Sequence, residues 1–413
     1  MPRGQIITGL DIGTSTIKLL VAQKKPKEAD LEILGQAKEI SSGIRKGVVI
    51  GPAEVSGLIQ EALKKIKAET NQKIDSVYVN IGGGHIFSLS SRGLVSVSRA
   101  DQKISEEDIE RVLQAAQTFP LPSNREILEV FPKEFIVDGQ GKIKEALGME
   151  GVRLEAEVLI LGGFAPYIKN LTAAILNSNL QIADLVLSPL ASSKAVLTPR
   201  EKELGVALLD IGAGTTGLAV FEEGDLLHTT ILPIGSGHIT NDIAIGLRTD
   251  INIAERIKLE FGTCQTLGLK GKGNRRSDKK EKIELEEGET LVFSQKQLTG
   301  IIEIRVSEIF REVQKELKKI GKAWLLPAGV VLTGGGARLP KIRELAKKEL
   351  RLPCRIGKPQ GFFPPQEDPS FSTVCGLVLG GADLEEDGQV TNFPSLGKGI
   401  SNKIKKIFKI FIP

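Results

Sequence analysis

Two stretches of the chain end a strand on an aspartate and run at once into a glycine turn rich in hydroxyls. DIGTSTIKLLV (11–21) and DIGAGTTGLAV (210–220) align without a gap, matching Asp, Ile, Gly, Thr, Leu and Val at equivalent places. A carboxylate at the end of a buried strand is costly unless something pairs it. Two of them, Asp11 and Asp210, facing each other across a cleft, would be neutralised by a divalent cation held mainly through water, as magnesium prefers. Gly13 and Gly212 let the backbone approach a ligand. Thr14, Ser15, Thr16, Thr215 and Thr216 supply hydroxyls, and the turn amides supply donors for phosphate oxygens. The plain alternative is a pair of acidic hairpins with no ligand. One copy alone leaves the two readings even; a second copy in register favours the clamp.

GAGTTG (212–217), with Gly214 as its second glycine, also fits the G-x-G-x-x-G dinucleotide pattern. That fingerprint needs a helix after it, whereas LAVFEEGDLL reads as strand. No P-loop sequence occurs, so phosphate would be held by hairpin turns. A third element is VVLTGGGARLPKI (330–342), a buried strand ending in Gly334, Gly335 and Gly336. It is either an ordinary strand–helix turn or bare backbone set against a flat group. In NIAERIKLEFG (252–262), Glu255 and Lys258 share one helical face. They form either a surface ion pair or a reader of a ribose hydroxyl and an adenine edge.

The repeat sets the architecture that must position these residues. Each copy reads as strand, turn, strand, and the copies stand about half the chain apart, which implies two related subdomains. PAEVSGLIQEALKKIKAET has helical spacing and passes to the strand SVYVNIGG (76–83). The next block, 84–162, reads strand, helix, strand, strand, with Ser105 as N-cap and Asp108 completing a capping box; it looks inserted. PYIKNLTAAILNSNL is a helix and SPLASSKAVLTPRE a second, connecting one. In the other half come the helices ITNDIAIGL and NIAERIKLEFG and a charged loop, LKGKGNRRSDKKEKIELEEGE. The long amphipathic helix KQLTGIIEIRVSEIFREVQKELKKIGK follows, then the helix KIRELAKKEL. The loop's charges have no aromatic residues between them, so a solvated hairpin is favoured over nucleic-acid binding.

Of 413 residues, 41% are apolar and 26% charged, and 45 glycines with few aromatics suit an α/β protein with many tight turns. Cys264, Cys354 and Cys375 are scattered, which disfavours a disulfide framework or zinc site and favours a reducing interior. His85, His228 and His238 are isolated and read as loop or surface residues rather than metal ligands. No apolar run reaches a membrane span, and the chain enters a strand at once, leaving no room for a signal peptide. The basic character is concentrated at the end: five lysines, Lys398, Lys403, Lys405, Lys406 and Lys409, have no acid beside them in 388–413. This argues against a general nucleic-acid-binding surface. In GISNKIKKIFKIFIP, Ile400, Ile404, Ile407, Phe408 and Phe411 make one apolar stripe flanked by Lys405, Lys406 and Lys409. Such a helix, on the linker EEDGQVTNFPSLGKG, either docks on protein or lies on an anionic membrane surface; the lysines favour the membrane.

The order of two DIG hairpins, a connecting helix, a TGGG turn and a small-residue last helix, TVCGLVLGGADL, resembles the actin, Hsp70 and sugar-kinase ATPase superfamily. Within it, LPIGSGHITNDIAIGLRTDINIAERIK (232–258) is similar to the FtsA family of bacterial cell-division proteins, and the resemblance covers essentially the whole chain. It implies an α/β, duplicated actin/Hsp70-like ATPase fold with an FtsA-specific, SHS2-like insertion and a C-terminal amphipathic helix. Subdomain 1A would comprise 1–83 and 163–199, with its terminal helix at 372–383. Subdomain 1C would be 84–162, subdomains 2A and 2B 200–371, a flexible linker 384–398, and a membrane-targeting helix 399–413. The resemblance also implies ATP and Mg2+ as cofactors, with Asp11 and Asp210 near the metal. Gly13 to Thr16 and Gly212 to Thr216 would hold the phosphates. Glu255 and Lys258 would flank the nucleoside, and Gly334 to Gly336 would lie beneath the adenine. Lys18 stands where actins contact phosphate, or is a strand-edge lysine. Asp210 would orient the attacking water, with weak turnover. Implied partners are the C-terminal peptide of tubulin-like FtsZ, through Arg305, other division proteins, and further copies in a filament. The place is the cytoplasmic face of the cell membrane at the division site. A PilM-type pilus-assembly platform and a small-molecule kinase are the alternatives on the same scaffold.

Overall fold

Apolar runs without alternation place each hairpin at the centre of a sheet covered on both faces. In β1 (Gln5–Ile12) and β2 (Thr16–Lys24) the central residues are buried without a break. The computed structural model describes residues 5–26, 28–264, 279–284 and 290–386. β3 (Leu31–Ile40), which the sequence reading passes over, lies antiparallel to β2. The short strands β4 (Ile44–Arg45) and β5 (Val48–Val49) form a ribbon leading to α1 (Pro52–Thr70). Val55, Ile59, Ala62 and Ile66 of α1 are buried, the spacing of one helical face. β6 (Ser76–Ile81) then runs parallel to β1.

The inserted block is a small body of its own. β7 (Phe87–Ser96), α2 (Glu106–Ala116), β8 (Arg125–Val137), β9 (Gln140–Ile143) and β10 (Arg153–Phe164) give a sheet in the order β7-β10-β8-β9. Its core is separate and includes Ile109, Val112, Leu113, Leu154, Val158 and Ile160. The capping box at the start of α2 is formed: the Ser105 hydroxyl oxygen accepts from the Asp108 amide, and the Asp108 carboxylate accepts from the Ser105 amide.

The chain returns through α3 (Ala165–Leu176) to β11 (Gln181–Leu187), a strand hidden in the sequence by Asp184 in its middle. The single connecting helix expected over 188–201 is two, α4 (Ser188–Val196) and α5 (Pro199–Leu204). Leu197 and Thr198 are extended, Thr198 caps α5 with Glu201, and Pro199 starts it.

The second half repeats the first. β12 (Val206–Ile211), β13 (Thr216–Glu222) and β14 (Asp225–Leu232) lead to α6 (Ser236–Leu247) and α7 (Ile251–Phe261). The hairpin β15 (Lys280–Glu284) and β16 (Thr290–Ser294) precedes the long helix α8 (Gln295–Lys319). β17 (Gly329–Thr333), α9 (Ile342–Leu350), β18 (Cys354–Ile356), β19 (Phe362–Phe363) and α10 (Ser372–Glu386) complete the described part of the chain. The first sheet runs β11-β6-β1-β2-β3-β19 and the second β14-β13-β12-β17-β18. Counted from each hairpin, five strands of both sheets have the same order, so the repeat of eleven residues is the visible part of a repeat of whole halves. The registers agree as well: Asp11 stands opposite Lys18, and Asp210 opposite Gly217.

α4 and α10 cross in backbone contact at Gly376. A Cβ there would lie 1.7 Å from the Ala191 carbonyl oxygen. α10 continues to Glu386, so three residues assigned to the linker from sequence are helical. Residues 387–413, with the amphipathic stripe, lie outside the described residues, as does most of the charged loop, 265–278 and 285–289. Among the described residues no helix is long and apolar enough to cross a membrane. One histidine differs from the loop or surface reading: His228 lies in β14 beside Glu316, and burial lowers its pKa. His85 lies in the turn before β7, where it packs edge-on against Tyr167 and burial pushes its ring down to about 4.

Candidate functional site

Both hairpins open into one cleft of about 860 Å³, lined by residues of the two halves. Their turns close alike: the Gly13 amide donates to the Thr16 carbonyl at 3.1 Å, and the Gly212 amide to the Thr215 carbonyl at 2.9 Å. Each turn is held from outside by its own half. The Ser41 hydroxyl donates to the Gly13 carbonyl at 2.7 Å. The Ser236 amide, at the start of α6, donates to the Gly212 carbonyl at 2.8 Å, and the Gly237 amide to Ala213 at the same distance. The turns also touch each other's surroundings. Thr14 Oγ1 accepts from the Gly47 amide at 2.8 Å, and a Cβ on Gly214 would meet that oxygen at 2.6 Å.

The two aspartates meet different surroundings. Asp11 forms an ion pair with Lys18 at 2.9 Å, both side chains 8% exposed. Lys18 lies in a central strand, which removes the strand-edge alternative. Asp210 forms no ion pair among the described residues, although the Lys18 charge is near enough to act on it. The Ser192 hydroxyl donates to its Oδ2, and the Thr373 hydroxyl donates to the same oxygen at 3.0 Å. Burial lifts the Asp210 carboxyl above the usual range; the Ser192 hydroxyl pulls it back, and the nearby Asp11 charge lifts it again.

Deeper in the cleft, Lys258 is buried and donates to Glu255 at 2.6 Å and to the Thr240 hydroxyl at 2.8 Å. The Thr240 hydroxyl in turn donates to Glu255 at 2.5 Å. The Lys258 side chain is 9% exposed and that of Glu255 44%, so the triad across α6 and α7 has a buried ammonium and a carboxylate open to the cleft. β17 is followed by Gly334 at φ +82°, a conformation that favours glycine. A Cβ there would stand 2.3 Å from Oδ1 of Asp210. Gly335 and Gly336 line the cleft beside it.

The structure therefore brings Asp11, Gly13, Thr14, Ser15, Thr16, Lys18, Asp210, Gly212, Thr215, Glu255, Lys258 and Gly334 to Gly336 to one cleft. Two expected members are placed elsewhere. Thr216 begins β13, is fully buried, and donates its hydroxyl to the Ile234 carbonyl at 2.8 Å, so it faces the core. Gly214 is wedged against Thr14 and Lys46 rather than lining the cleft. Arg305 lies on α8, away from the cleft lining, and is no free arginine. Its guanidinium forks onto both Asp242 oxygens at 2.6 and 2.9 Å and reaches Glu308 at 2.6 Å. Sequence reasoning missed Asn80, Ser192, Thr240 and Thr373. Asn80 alone left a sign, a polar residue ending the buried run SVYVN; its side chain accepts from the Ile12 amide at 2.7 Å. The others sit in small-residue helices, where a hydroxyl has no distinguishing pattern.

Comparison with known proteins agrees with this geometry. The family described as "Cell division protein FtsA" matches residues 207–376, and the "SHS2 domain inserted in FTSA" matches 83–161. The cell division protein FtsA of Pseudomonas aeruginosa is 37% identical over 391 residues, covering 93% of this chain and 91% of that protein. Among solved structures, the PilM-PilN type IV pilus biogenesis complex superposes with a TM-score of 0.65 at 18% identity, covering 91% of this chain and 98% of that one. MreB 5 of Spiroplasma citri bound to AMPPNP gives a TM-score of 0.54 at 12% identity, covering 94% and 99%. The structural likenesses show the actin-like fold, and the sequence likeness at this identity and coverage shows the lineage: the chain belongs to the FtsA family of cell division proteins.

Proposed function

We propose that this cell division protein binds ATP with Mg2+ in the cleft, polymerises, and anchors FtsZ filaments to the cytoplasmic face of the cell membrane. The observation that carries the nucleotide is the pair of identically closed hairpins, Gly13–Thr16 and Gly212–Thr215, meeting in one cleft with the Glu255–Lys258–Thr240 triad. Turn amides and hydroxyls suit phosphate oxygens, and the triad offers fixed polar atoms to a ribose and base. MreB 5, a neighbour in fold, was solved with AMPPNP. The donor set also fits magnesium. Among the described residues no group of three or more His, Cys, Asp or Glu side chains converges on one point. A cation between Asp11 and Asp210 would therefore keep water and phosphate oxygens as most of its shell, which is magnesium's habit. The acids lining the cleft are Asp11, Asp210 and Glu255. With Glu255 engaged by its neighbours, this leaves little for an acceptor substrate and supports a binding platform with weak turnover over a small-molecule kinase.

Membrane attachment rests on the apolar stripe Ile400, Ile404, Ile407, Phe408 and Phe411 with its lysines. Deleting residues 399–413 is expected to abolish co-sedimentation with phosphatidylglycerol-containing vesicles while leaving ATP affinity intact; undiminished sedimentation would sink the assignment. Filament formation by the full chain on an anionic lipid monolayer with ATP, absent without nucleotide, tests the remainder.

For the FtsZ tail, Arg305 supplies a fixed guanidinium on α8, with Ile304 beside it 70% exposed. Arg305→Glu is expected to weaken binding of the FtsZ C-terminal peptide roughly tenfold or more. Because Arg305 also ties α8 to Asp242, Asp242→Ala is the control. It releases the arginine and should leave peptide affinity equal or higher. Unchanged affinity in Arg305→Glu removes this residue from the contact.

A further inference from the structure

The turn between β4 and β5 belongs to the first half but rests on the second. Its base is fixed at home: the Ile50 and Gly51 amides donate to the Gly43 carbonyl at 2.8 and 3.0 Å, and the Asn170 side chain, on α3, donates to the Val49 carbonyl at 3.1 Å. Its tip, Lys46 and Gly47, reaches both hairpins. The Gly47 amide donates to Thr14 of the first, and a Cβ on Gly47 would lie 3.4 Å from Cγ2 of Thr215 in the second. A Cβ on Gly214 would stand 2.9 Å from the Lys46 Cα. Gly83, just after β6, closes on the same tip: a Cβ on Gly47 would meet its amide nitrogen at 2.9 Å. Backbone therefore packs on backbone where the halves meet, and only glycine allows it. Lys46 and Gly47 have φ of +48° and +76°, and a lysine in that region is held there by its surroundings.

We propose, on the reading that the two hairpins hold the phosphates of ATP, that residues 43–49 are a clasp across the phosphate end of the cleft, and that its release sets how fast nucleotide enters and leaves. The clasp hangs from the first half and touches the turn of the second. The two turns therefore cannot draw apart until Lys46 and Gly47 come off Gly214 and Thr215. Gly47 also lines the cleft together with Thr14 and Thr215, so a phosphate chain held by both turns has the tip as part of its enclosure. The tip is held by a hydrogen bond and backbone contact, with Arg45 and Lys46 exposed, and lids are drawn from such low-stability segments. A clasp that must lift for passage slows entry and exit alike and leaves affinity unchanged. A direct contact to the nucleotide would act on affinity and chiefly on release.

The test uses the full chain with magnesium and radiolabelled ATP, reading association and chase-driven dissociation by rapid filtration, with thermal melting alongside. Gly47→Ala puts a side chain at φ +76° and against the Gly83 amide, so the tip must lift. Both rates are expected to rise roughly fivefold to tenfold while the dissociation constant stays within about twofold. Parental rates in both directions would overturn the clasp. So would faster release with unchanged entry and weakened affinity, which is what damage to the phosphate turns alone would give. Should Gly47→Ala melt early, Asn170→Ala, which frees the Val49 carbonyl at the base and lies outside the cleft lining, is judged by the same pair of rates. A parent chain that fails to bind Mg–ATP would instead overturn the reading of the cleft, and the clasp with it.

Discussion

Gly376→Ala is expected to be the most damaging addition of a methyl at any glycine among the described residues. The new Cβ would stand 1.7 Å from the Ala191 carbonyl oxygen, a backbone atom that no side-chain rotamer can move away. The helices α4 and α10 would have to separate, opening the core that includes Ala191, Val374, Cys375 and Val378. Overpacking of this kind costs on the order of 3 kcal/mol, at the upper end of what added methyls do in cores. For a chain of 413 residues that corresponds to a fall in melting temperature of roughly 3–4 °C. Gly380, one turn further along α10, is the matched control. Nothing lies within 4 Å of a Cβ built there, so Gly380→Ala should be neutral or stabilising by up to about 1 kcal/mol, as helix propensity dictates. Calorimetry of the two variants decides the matter. Similar melting temperatures would mean that the crossing is looser than the contact implies.

The second large effect separates two roles of Asp11. Asp11→Asn removes the only ion-pair partner of Lys18 among the described residues and leaves an ammonium group buried in the middle of a sheet. Breaking a buried pair from one side costs about 3–5 kcal/mol, mostly the penalty of the charge left behind. Lys18→Met in the same chain removes that charge, and much of the stability should return. Nucleotide binding in the presence of magnesium should stay impaired in both variants, because the carboxylate is gone in both. A double variant as unstable as Asp11→Asn would show that Asp11 holds the fold by some other means. A double variant that binds Mg–ATP like the parent would take Asp11 out of the cation site.

The hairpins were legible because their chemistry is local: an aspartate, a glycine and hydroxyls within six residues, present twice. The apolar runs around them predicted strands, and the strand after GAGTTG excluded a dinucleotide fold, as β13 bears out. Ser105 and Asp108 announced the start of α2 for the same reason, since a capping box is complete within four residues. What stayed hidden depends on neighbours distant in sequence. Alternating LEILGQAKEI is ambiguous until β2 pairs with it. Thr216 looked like one more phosphate hydroxyl, yet at the start of β13 it is fully buried and donates its hydroxyl to the Ile234 carbonyl. Arg305 read as an exposed residue because Asp242, its partner, is 63 positions away. Ser192 and Thr373 approach Asp210 from 18 and 163 positions away, and nothing in either local sequence marks the meeting.

The docking of α6 on the second hairpin has a mechanical side. Ser236 and Gly237, which grip the turn carbonyls, and Asp242, which grips Arg305, ride on the same helix within two turns, roughly 9 Å apart along its axis. A helix is stiff over that length, so α6 acts as a short rod with a clasp at each end. Any shift of the turn at Gly212 and Ala213 must be absorbed by its own clasp or delivered to the guanidinium fork on α8. The turn at Gly212 and the guanidinium fork on α8 are thus held by one short helix.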